Sequence, residues 1–331
     1  MTADRPSQAE LDADPGRWAA SLPAAHGLDG AALTPMQGWS NTIWANDSHV
    51  VRISSGRFQQ SLRYEADVLR SLPHVPCPRV LAVGQIGGRE WMIQTRLAGG
   101  TLAQAWPRLS LAERERAIRS LAKTVRAVHA TPLRSDLREP PWRAAALRPG
   151  GDLSTALRLE PRHFGRLLDA NLEQCTAPAG LLQAVGALIA TRLPLFEGDV
   201  AVLTHGDVTF NNVIWDGTTA SLIDFEAAGA APLDRELDLV LRFLDEPYFV
   251  SPDAIAETKA LFQPVLGWLR DACPEMFAHP ALVERIEVYD ALWELVQLLN
   301  YPPDHTRDTA RRLQAVVQGR PPWKAALRDA T

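Results

Sequence analysis

The chain reads Leu203-Thr204-His205-Gly206-Asp207-Val208-Thr209-Phe210-Asn211-Asn212 and, a few residues later, Ile223-Asp224-Phe225-Glu226. These two segments place Asp207 five residues before Asn212, and Asp224 twelve residues after Asn212. Phosphoryl transfer uses one carboxylate to accept the proton of the attacking hydroxyl, and an amide oxygen and a second carboxylate to hold Mg²⁺. The spacing therefore predicts a site in which Asp207 is the base and Asn212 and Asp224 are metal ligands.

A short hairpin links the two segments. Val213-Ile214-Trp215 and Ala220-Ser221-Leu222-Ile223 flank the turn dipeptide Asp216-Gly217, a pattern typical of two paired strands. Such a hairpin would fold Asp224 back towards Asp207 and Asn212. Taken alone, Asp207 reads as a loop cap and Asp224 as a strand terminator, so the prediction rests on their combination.

Three further residues are candidates for supporting roles. We expect His205 to orient the loop through hydrogen bonds to backbone rather than to act in catalysis. Asp238 lies in a predicted helix from Arg235 to Leu244, and we expect it to hydrogen-bond the backbone of the catalytic loop, although it also fits an ordinary surface helix position. Glu226 either supports the site or helps to bind metal, and the sequence leaves both interpretations open.

The region before residue 98 is rich in strand signals. Thr42 to Ile53 predicts two strands joined at Asn46-Asp47-Ser48, and Arg79 to Thr95 predicts a hairpin around Gly87-Gly88. A helix is expected from about Gln59 to Leu72, ended by Pro73. Glu65 lies on its inward side, where a carboxylate needs a cationic partner, and Arg52 on the preceding strand is the obvious candidate.

Helical signals dominate after that point. Ser110-Leu111-Ala112-Glu113 fits a capping box, and Ala281 to Asn300 carries an apolar stripe at helical spacing. A strand-rich first third and a helix-rich remainder predict an α+β protein with two unequal lobes. We place the boundary near Ala98-Gly99-Gly100, which gives three parts: residues 1–30 as a tail with a short helix, 31–97 as the small lobe, and 98–331 as the large lobe.

Composition narrows the classes of partner. The 331 residues are 46% hydrophobic, which is ample for a buried core, and the net charge of −5 without a basic patch argues against nucleic acid. Three widely spaced cysteines suit a reducing cytoplasm. Met1 to Pro15 is polar and acidic, so we expect no apolar signal segment there, and no run of eighteen or more apolar residues predicts a membrane span.

The catalytic segments resemble the aminoglycoside phosphotransferase family, which shares the protein-kinase-like fold with choline, homoserine and fructosamine kinases. The resemblance runs from about residue 30 to residue 245. Upstream, Gly38-Trp39-Ser40-Asn41-Thr42 is similar to the family's phosphate loop, Val51-Arg52-Ile53 to its third strand, and Glu65 lies where its first-lobe helix carries a carboxylate.

The resemblance implies a bilobal kinase-like fold and a transferase that uses ATP and Mg²⁺ to phosphorylate a small-molecule hydroxyl. It assigns Ser40, Asn41, Arg52 and Glu65 to the nucleotide, and places adenine under Gln94-Thr95-Arg96-Leu97, held by backbone hydrogen bonds. Two departures stand out. Arg52 replaces the lysine of protein kinases, and no G-x-G-x-x-G is present, so the phosphate loop would work through Ser40, Asn41 and backbone.

The acceptor is less well specified. Residues 245–280 hold six acidic residues against Lys259 and Arg270, a balance that fits either a cationic acceptor such as an aminoglycoside or amino alcohol, or a solvated acidic surface. Two other functional classes remain as alternatives: a nucleotide-binding pseudokinase with a regulatory role, and a metal-dependent hydrolase built on His205 and Asp207, for which further ligands at workable spacing are not found.

Overall fold

A computed structural model describes residues 14–28, 33–36, 41–55, 61–137, 179–245, 261–300 and 303–330. The strands, in chain order, are β1 (Thr34–Met36), β2 (Asn41–Ala45), β3 (His49–Ser54), β4 (Val80–Ile86), β5 (Arg89–Thr95), β6 (Gly100–Thr101), β7 (Val202–Thr204), β8 (Val213–Trp215), β9 (Ala220–Leu222) and β10 (Gly229–Ala231). The α-helices are α1 (Pro15–Ala25), α2 (Leu62–Arg70), α3 (Leu102–Ala105), α4 (Leu111–His129), α5 (Ala179–Arg192), α6 (Arg235–Asp245), α7 (Val265–Ala272), α8 (Leu282–Asn300), α9 (Pro303–Val317) and α10 (Lys324–Ala330).

The first five strands form one antiparallel sheet in the order β1-β2-β3-β5-β4. Side chains alternate between its two faces, as strand geometry requires. On one face, Val51 and Ile93 pack against Ala19 of α1. On the other face, Met92 belongs to the core that α2 shares with the helical part of the chain. The sheet is therefore covered by a helix on each side.

Helix α2 begins and ends where local chemistry requires. The Ser61 side chain accepts a hydrogen bond from the Tyr64 backbone at the N-terminus, and the helix ends at Arg70, ahead of Pro73. It is shorter than the predicted span from Gln59 to Leu72, of which residues 59–60 lie outside the described part. Leu62 and Leu69 are buried, so the predicted apolar stripe is confirmed.

The chain leaves the large sheet after Thr95 and at once joins a second one. Gly100 of β6 pairs with Trp215 of β8, in a three-stranded sheet of order β6-β8-β9. A separate two-stranded sheet pairs β7 with β10. The predicted hairpin around Asp216-Gly217 is confirmed, because Val213 lies opposite Leu222.

Helices make up most of the chain beyond the large sheet. The capping box at the start of α4 is confirmed: Ser110 and Glu113 each accept from the other's backbone N–H. Buried ion pairs join α6 and the residue before it to α8. Arg242 contacts Asp290 and lies 2.7 Å from Glu294, and Arg285 lies 2.5 Å from Asp234. These charges are inside the helical part, where each has an opposite partner.

The α+β prediction, with a strand-rich first part and a larger helical part, is confirmed. Within the described ranges, none of the helices combines the length and apolar character needed to cross a bilayer.

Candidate active site

The loop after β7 brings Asp207 and Asn212 together. The Asn212 amide Nδ2 donates to the Asp207 carboxylate Oδ2 and to the Asp207 backbone carbonyl, both at 3.0 Å. A short 3₁₀ turn from Phe210 to Asn212 folds the chain back so that the Asn212 side chain reaches Asp207. Because the amide nitrogen is used in this way, the Asn212 side-chain carbonyl is the atom left to face a cation.

The hairpin brings Asp224 back to the same loop. Ile223 N donates to the Asn212 carbonyl at 3.0 Å, which extends the β8–β9 pairing to the residue just before Asp224. Asp224 itself has φ 66° and ψ 62°, and it is the only non-glycine residue with positive φ in the described part of the chain. Asp tolerates this left-handed conformation better than most residues, and such strain is often found at functional sites.

Arg52 joins three distant parts of the chain. Its Nη1 lies 2.6 Å from Glu65 Oε1, which confirms the predicted contact, and its Nη2 lies 2.9 Å from Asp224 Oδ1. Glu65 Oε1 also accepts from the Phe225 backbone at 3.2 Å. Sequence reasoning missed the link to Asp224, because nothing local signals a contact across 172 residues.

Burial and charge oppose each other in this cluster. Burial raises the pKa of the Glu65 carboxyl to about 7, while the Arg52 guanidinium pulls it down. Burial also disfavours the charge on Arg52, but Glu65, Asp224 and Glu226 outweigh it and hold the pKa of Arg52 above its usual value. Arg52 therefore stays cationic.

His205 orients the loop rather than pointing into the site. Its ring is fully buried, its Nε2 donates to the Ile223 carbonyl at 2.9 Å, and its Nδ1 accepts from Asp207 N at 3.2 Å. These contacts agree with the expectation that His205 hydrogen-bonds backbone. They tie the start of the loop to the end of the hairpin.

Glu236, whose role sequence reasoning missed, accepts hydrogen bonds from the backbone of the loop that carries Asp207. Its two carboxylate oxygens accept from His205 N at 2.5 Å and from Gly206 N at 3.1 Å. Burial alone would raise the pKa of the Glu236 carboxyl, but the neighbouring His129 imidazole and the hydrogen bond from the His205 backbone outweigh it and leave the pKa lowered. A weak sequence signal for the role of Glu236 is its position in the first turn of α6, the helix that follows the hairpin and β10.

The predicted role of Asp238 is wrong. Asp238 hydrogen-bonds Arg235 and lies 3.7 Å from Arg242, and it makes no hydrogen bond to the catalytic loop. The reason is helical geometry, because two residues along a helix rotate a side chain by roughly 200° to the opposite face. Glu236 faces the loop, and Asp238 faces the ion pairs between α6 and α8.

Gly206 cannot carry a side chain in this loop. Its φ is +76°, and a Cβ built there would lie 2.6 Å from the Ala227 carbonyl oxygen. The loop backbone thus packs directly on the segment that follows Asp224. The close approach fixes the separation between the loop that carries Asp207 and the segment that follows Asp224.

The remaining predicted residues are more scattered. Asn41 is buried at the first position of β2, opposite Ser54, and Glu226 is buried beside the Arg52 cluster. Ser40 lies outside the described residues. Gln94 is the penultimate residue of β5, and Leu97 follows it in the connection to β6.

Arg96 differs from its predicted role. Its backbone N–H donates to the Ser48 carbonyl at 2.9 Å, and its guanidinium donates to the Asn46 carbonyl at 2.8 Å. The N–H of Arg96 is therefore already used by the β2–β3 turn and is not available to hold a base. The cross-strand contact that uses it is invisible in the local sequence.

The donor set suits a hard divalent cation. The Asn212 carbonyl and the Asp224 carboxylate are oxygen ligands, which Mg²⁺ prefers, and Mg²⁺ usually completes its shell with waters and substrate phosphates. Among the described residues, no group of three or more His, Cys, Asp and Glu side chains could hold a metal.

The sequence and the fold were each compared with known proteins. The model of the phosphotransferase enzyme family matches residues 33–272. No curated protein matches the sequence.

Solved structures share the fold at low sequence identity. A choline/ethanolamine kinase family protein from Mesorhizobium loti has a TM-score of 0.62 and 20% identity, covering 96% of this chain and 99% of that one. Amicoumacin kinase hAmiN, in complex with AMP-PNP, Ca²⁺ and Ami, has a TM-score of 0.60 and 13% identity, covering 95% and 97%. A thermostable mutant of aminoglycoside phosphotransferase APH(4)-Ia, with ADP and hygromycin B, has a TM-score of 0.58 and 17% identity, covering 91% and 97%.

Proposed function

The chain belongs to the phosphotransferase enzyme family, and from that premise we propose that it transfers the γ-phosphate of ATP, with Mg²⁺, to a hydroxyl group of a small molecule. Asp207 is the base in this proposal, and Asn212 and Asp224 are the metal ligands. The membership supplies the reaction class, and the arrangement of these three side chains supports their individual roles.

One observation carries the proposal. The Asn212 amide donates to the Asp207 carboxylate, and the Asn212 backbone carbonyl accepts from the residue before Asp224. Asn212, itself a proposed metal ligand, thus links the proposed base to the segment that carries the other proposed metal ligand, Asp224. A segment that served only as a turn would not need the contact between Asp224 and Arg52, which in turn pairs with Glu65 of the first lobe.

The chemistry of each residue is explained by these contacts. Asp207 accepts the proton of the acceptor hydroxyl as that oxygen attacks the γ-phosphorus and ADP leaves with the bridging oxygen, and the Asn212 amide orients the carboxylate. The Arg52 guanidinium offsets negative charge on the phosphates. Bound Mg²⁺ would neutralise charge that develops on the phosphate oxygens. Most of the rate would come from this positioning and charge stabilisation.

The two lobes take different parts of the reaction. Residues 31–97 would hold the nucleotide, with Ser40 and Asn41 near the phosphates and Gln94 and Leu97 near the base. Residues 98–331 would supply the catalytic loop and the acceptor site, and residues 1–30 precede both.

We place the reaction in the cytoplasm because Cys77 and Cys273 are both buried, free thiols, as expected for a reducing compartment.

The acceptor proposed is an aminoglycoside-type antibiotic or a related amino alcohol or sugar, and phosphorylation of an antibiotic would give resistance. Structures of related fold contain hygromycin B and streptomycin, and these support the class. The excess of acidic residues in 245–280 supports a cationic acceptor less strongly than the number of these residues suggested. Asp245 lies 3.2 Å from Arg312, and Glu275 lies 2.7 Å from Arg126, so these carboxylates are already paired.

The test is a screen of ATP consumption, with Mg²⁺, across aminoglycosides, macrolides, amino alcohols and sugars. Asp207→Asn and Asp207→Ala should abolish phosphate transfer while largely sparing ATP binding, because the base acts only on the hydroxyl. Asp216→Asn is the matched control, since Asp216 caps the hairpin turn through Thr218 and Thr219 and lies outside the proposed machinery.

Full turnover by Asp207→Asn would exclude Asp207 as the base. Wild-type protein that binds Mg·ATP but phosphorylates no acceptor would instead favour a nucleotide-binding pseudokinase. Phosphoryl transfer to one acceptor, lost in Asp207→Asn and kept in Asp216→Asn, is the result that we expect.

A further inference from the structure

The short 3₁₀ turn Phe225–Ala227 is held at both ends by α2. The turn closes through a hydrogen bond from Ala228 N to the Phe225 carbonyl at 3.1 Å. At its start, Phe225 N donates to Glu65 Oε1 at 3.2 Å. At its end, the Ala228 carbonyl accepts from the Tyr64 hydroxyl at 2.9 Å. Two consecutive residues of one helix therefore contact the two ends of the turn.

The Tyr64 hydroxyl acts from a buried position. The residue is only 7% exposed, and its ring belongs to the apolar core that α2 shares with the helical part of the chain. The same hydroxyl lies 3.1 Å from the Leu137 carbonyl, in the segment that follows α4. Both neighbours are backbone carbonyls, so the phenol serves as a donor that ties α2 to two segments of the helical part.

The turn sets where Asp224 lies relative to Asp207. Asp224 immediately precedes it with φ 66°, a left-handed conformation that persists only where the surrounding structure imposes it. On the other side, the Ala227 carbonyl lies so close to Gly206 that a Cβ there would come within 2.6 Å of its oxygen. The turn is thus packed between α2 and the loop that carries Asp207, and a contact that fixes the turn also fixes Asp224.

We propose that Tyr64 is a positioning residue for the Mg²⁺ site, its hydroxyl holding the turn so that Asp224 faces the cation. This inference rests on the proposed function, in which Asp224 is a metal ligand, and deepens it by naming a side chain that controls that ligand. Tyr64 acts through the turn and contacts neither nucleotide nor metal. Loss of its hydroxyl should weaken the part of ATP binding that depends on Mg²⁺ and leave metal-free binding unchanged.

The test compares wild type with Tyr64→Phe, which keeps the buried ring and removes only the hydroxyl. Calorimetry measures the dissociation constant of ATP once with Mg²⁺ and once with EDTA, so no acceptor is needed. Tyr64→Phe should bind ATP about fivefold more weakly with Mg²⁺, the effect of one net hydrogen bond, and as wild type does with EDTA. A variant that only loosened the fold would weaken both alike, so the ratio of the two constants isolates positioning.

Tyr289→Phe is the matched control. Tyr289 lies on α8 and is 1% exposed, and its hydroxyl is buried without a hydrogen-bond partner among the described residues. This variant also loses one buried phenol oxygen and should keep both wild-type dissociation constants. Hydrogen–deuterium exchange without nucleotide gives a second measurement: the amides of residues 225–228 should exchange faster in Tyr64→Phe and at the wild-type rate in Tyr289→Phe.

An unchanged Mg²⁺ dependence in Tyr64→Phe, or the same change in Tyr289→Phe, would overturn the inference while leaving the proposed function intact. Failure of Tyr64→Phe to fold, seen by circular dichroism, would assign the hydroxyl to the fold and overturn the positioning role as well. Wild type that binds ATP equally with Mg²⁺ and with EDTA would instead overturn the proposed function, so the two failures are distinguishable.

Discussion

Individual residues in and around the loop that carries Asp207 have little freedom to change, for different physical reasons. Gly206 is constrained by its positive φ and by the Ala227 carbonyl that lies against it. Glu236 is constrained by two backbone N–H groups that converge on its carboxylate. Both residues act on the backbone that carries Asp207, so small changes at either should affect both catalysis and stability.

Replacing Gly206 by alanine should destabilise the protein and reduce kcat, because the new Cβ would both strain the backbone and collide with the Ala227 carbonyl. Gly217→Ala is the control: its φ is also positive, at +96°, but its Cβ would meet nothing within 4 Å. We expect a loss of about 1 kcal/mol for Gly217→Ala and about 2–4 kcal/mol for Gly206→Ala in denaturant unfolding. Equal losses would show that no collision occurs.

Glu236→Gln should destabilise the protein by about 1–3 kcal/mol at neutral pH, because an amide cannot accept both N–H groups as well as a carboxylate does. The folded-state pKa of Glu236 is lowered from 4.5, so its contribution is present above pH 4.5 and is lost as the pH falls further. Thermal melting of wild type and variant from pH 7 to pH 3 should give curves that converge on the acidic side.

Asp238→Asn is the comparison for that experiment, since Asp238 contacts arginines rather than the loop. It should leave KM and the orientation of Asp207 unchanged, whereas Glu236→Gln should lower kcat. A larger fall in kcat for Asp238→Asn than for Glu236→Gln would contradict the assignment of Glu236.

At the scale of elements, one guanidinium joins β3, α2 and the segment after β9. Its two Nη atoms contact different carboxylates, one on α2 and one at the end of the hairpin. The planar fork of arginine suits this bridge, and the point charge of lysine does not.

Arg52→Lys should therefore weaken Mg·ATP binding by about tenfold, because one charged hydrogen bond of the bridge would be lost. Isothermal titration calorimetry measures the change. Arg70→Lys is the control, since Arg70 pairs with Asp67 on the surface, where both side chains are about half exposed. Equal ATP affinity in wild type and Arg52→Lys would contradict a bridging role.

At the scale of the molecule, the two parts share one apolar core and several polar contacts. Leu62 and Val68 of α2 belong to the same cluster as Leu222 and Phe225. The Tyr64 hydroxyl lies 3.1 Å from the Leu137 carbonyl and 2.9 Å from the Ala228 carbonyl. A nucleotide that contacts both parts should therefore stabilise the whole fold rather than one lobe.

Mg·ATP at about a hundred times its dissociation constant should stabilise the folded protein by about 2.7 kcal/mol and raise Tm by several degrees. EDTA should remove most of that shift. Asp224→Asn should also reduce it, because the amide keeps the left-handed backbone but loses the ligand charge. An unchanged shift in EDTA would show that the nucleotide binds without metal.

Many features of this molecule could be predicted from its sequence alone. The α+β order, the capping box at Ser110, the hairpin around Asp216-Gly217 and the Arg52–Glu65 contact were all predicted, and the structure contains them. These features depend on side-chain periodicity, turn chemistry and the need of an inward charge for a partner. Such forces act within about a dozen residues, so a local pattern records them.

Other features depended on tertiary structure. The Arg52–Asp224 contact, the loop support by Glu236 instead of Asp238, and the capture of the Arg96 N–H by Ser48 all join segments that are distant in the chain or on different elements. Packing decides which face of α6 meets the loop. Packing also brings the β2–β3 turn against the connection that follows β5. The sequence by itself determined the chemistry available near Asp207, and only the packed fold decided which neighbours hold it, because Glu236 and Asp238 are both buried carboxylates of α6 and packing alone sets which of them faces the loop.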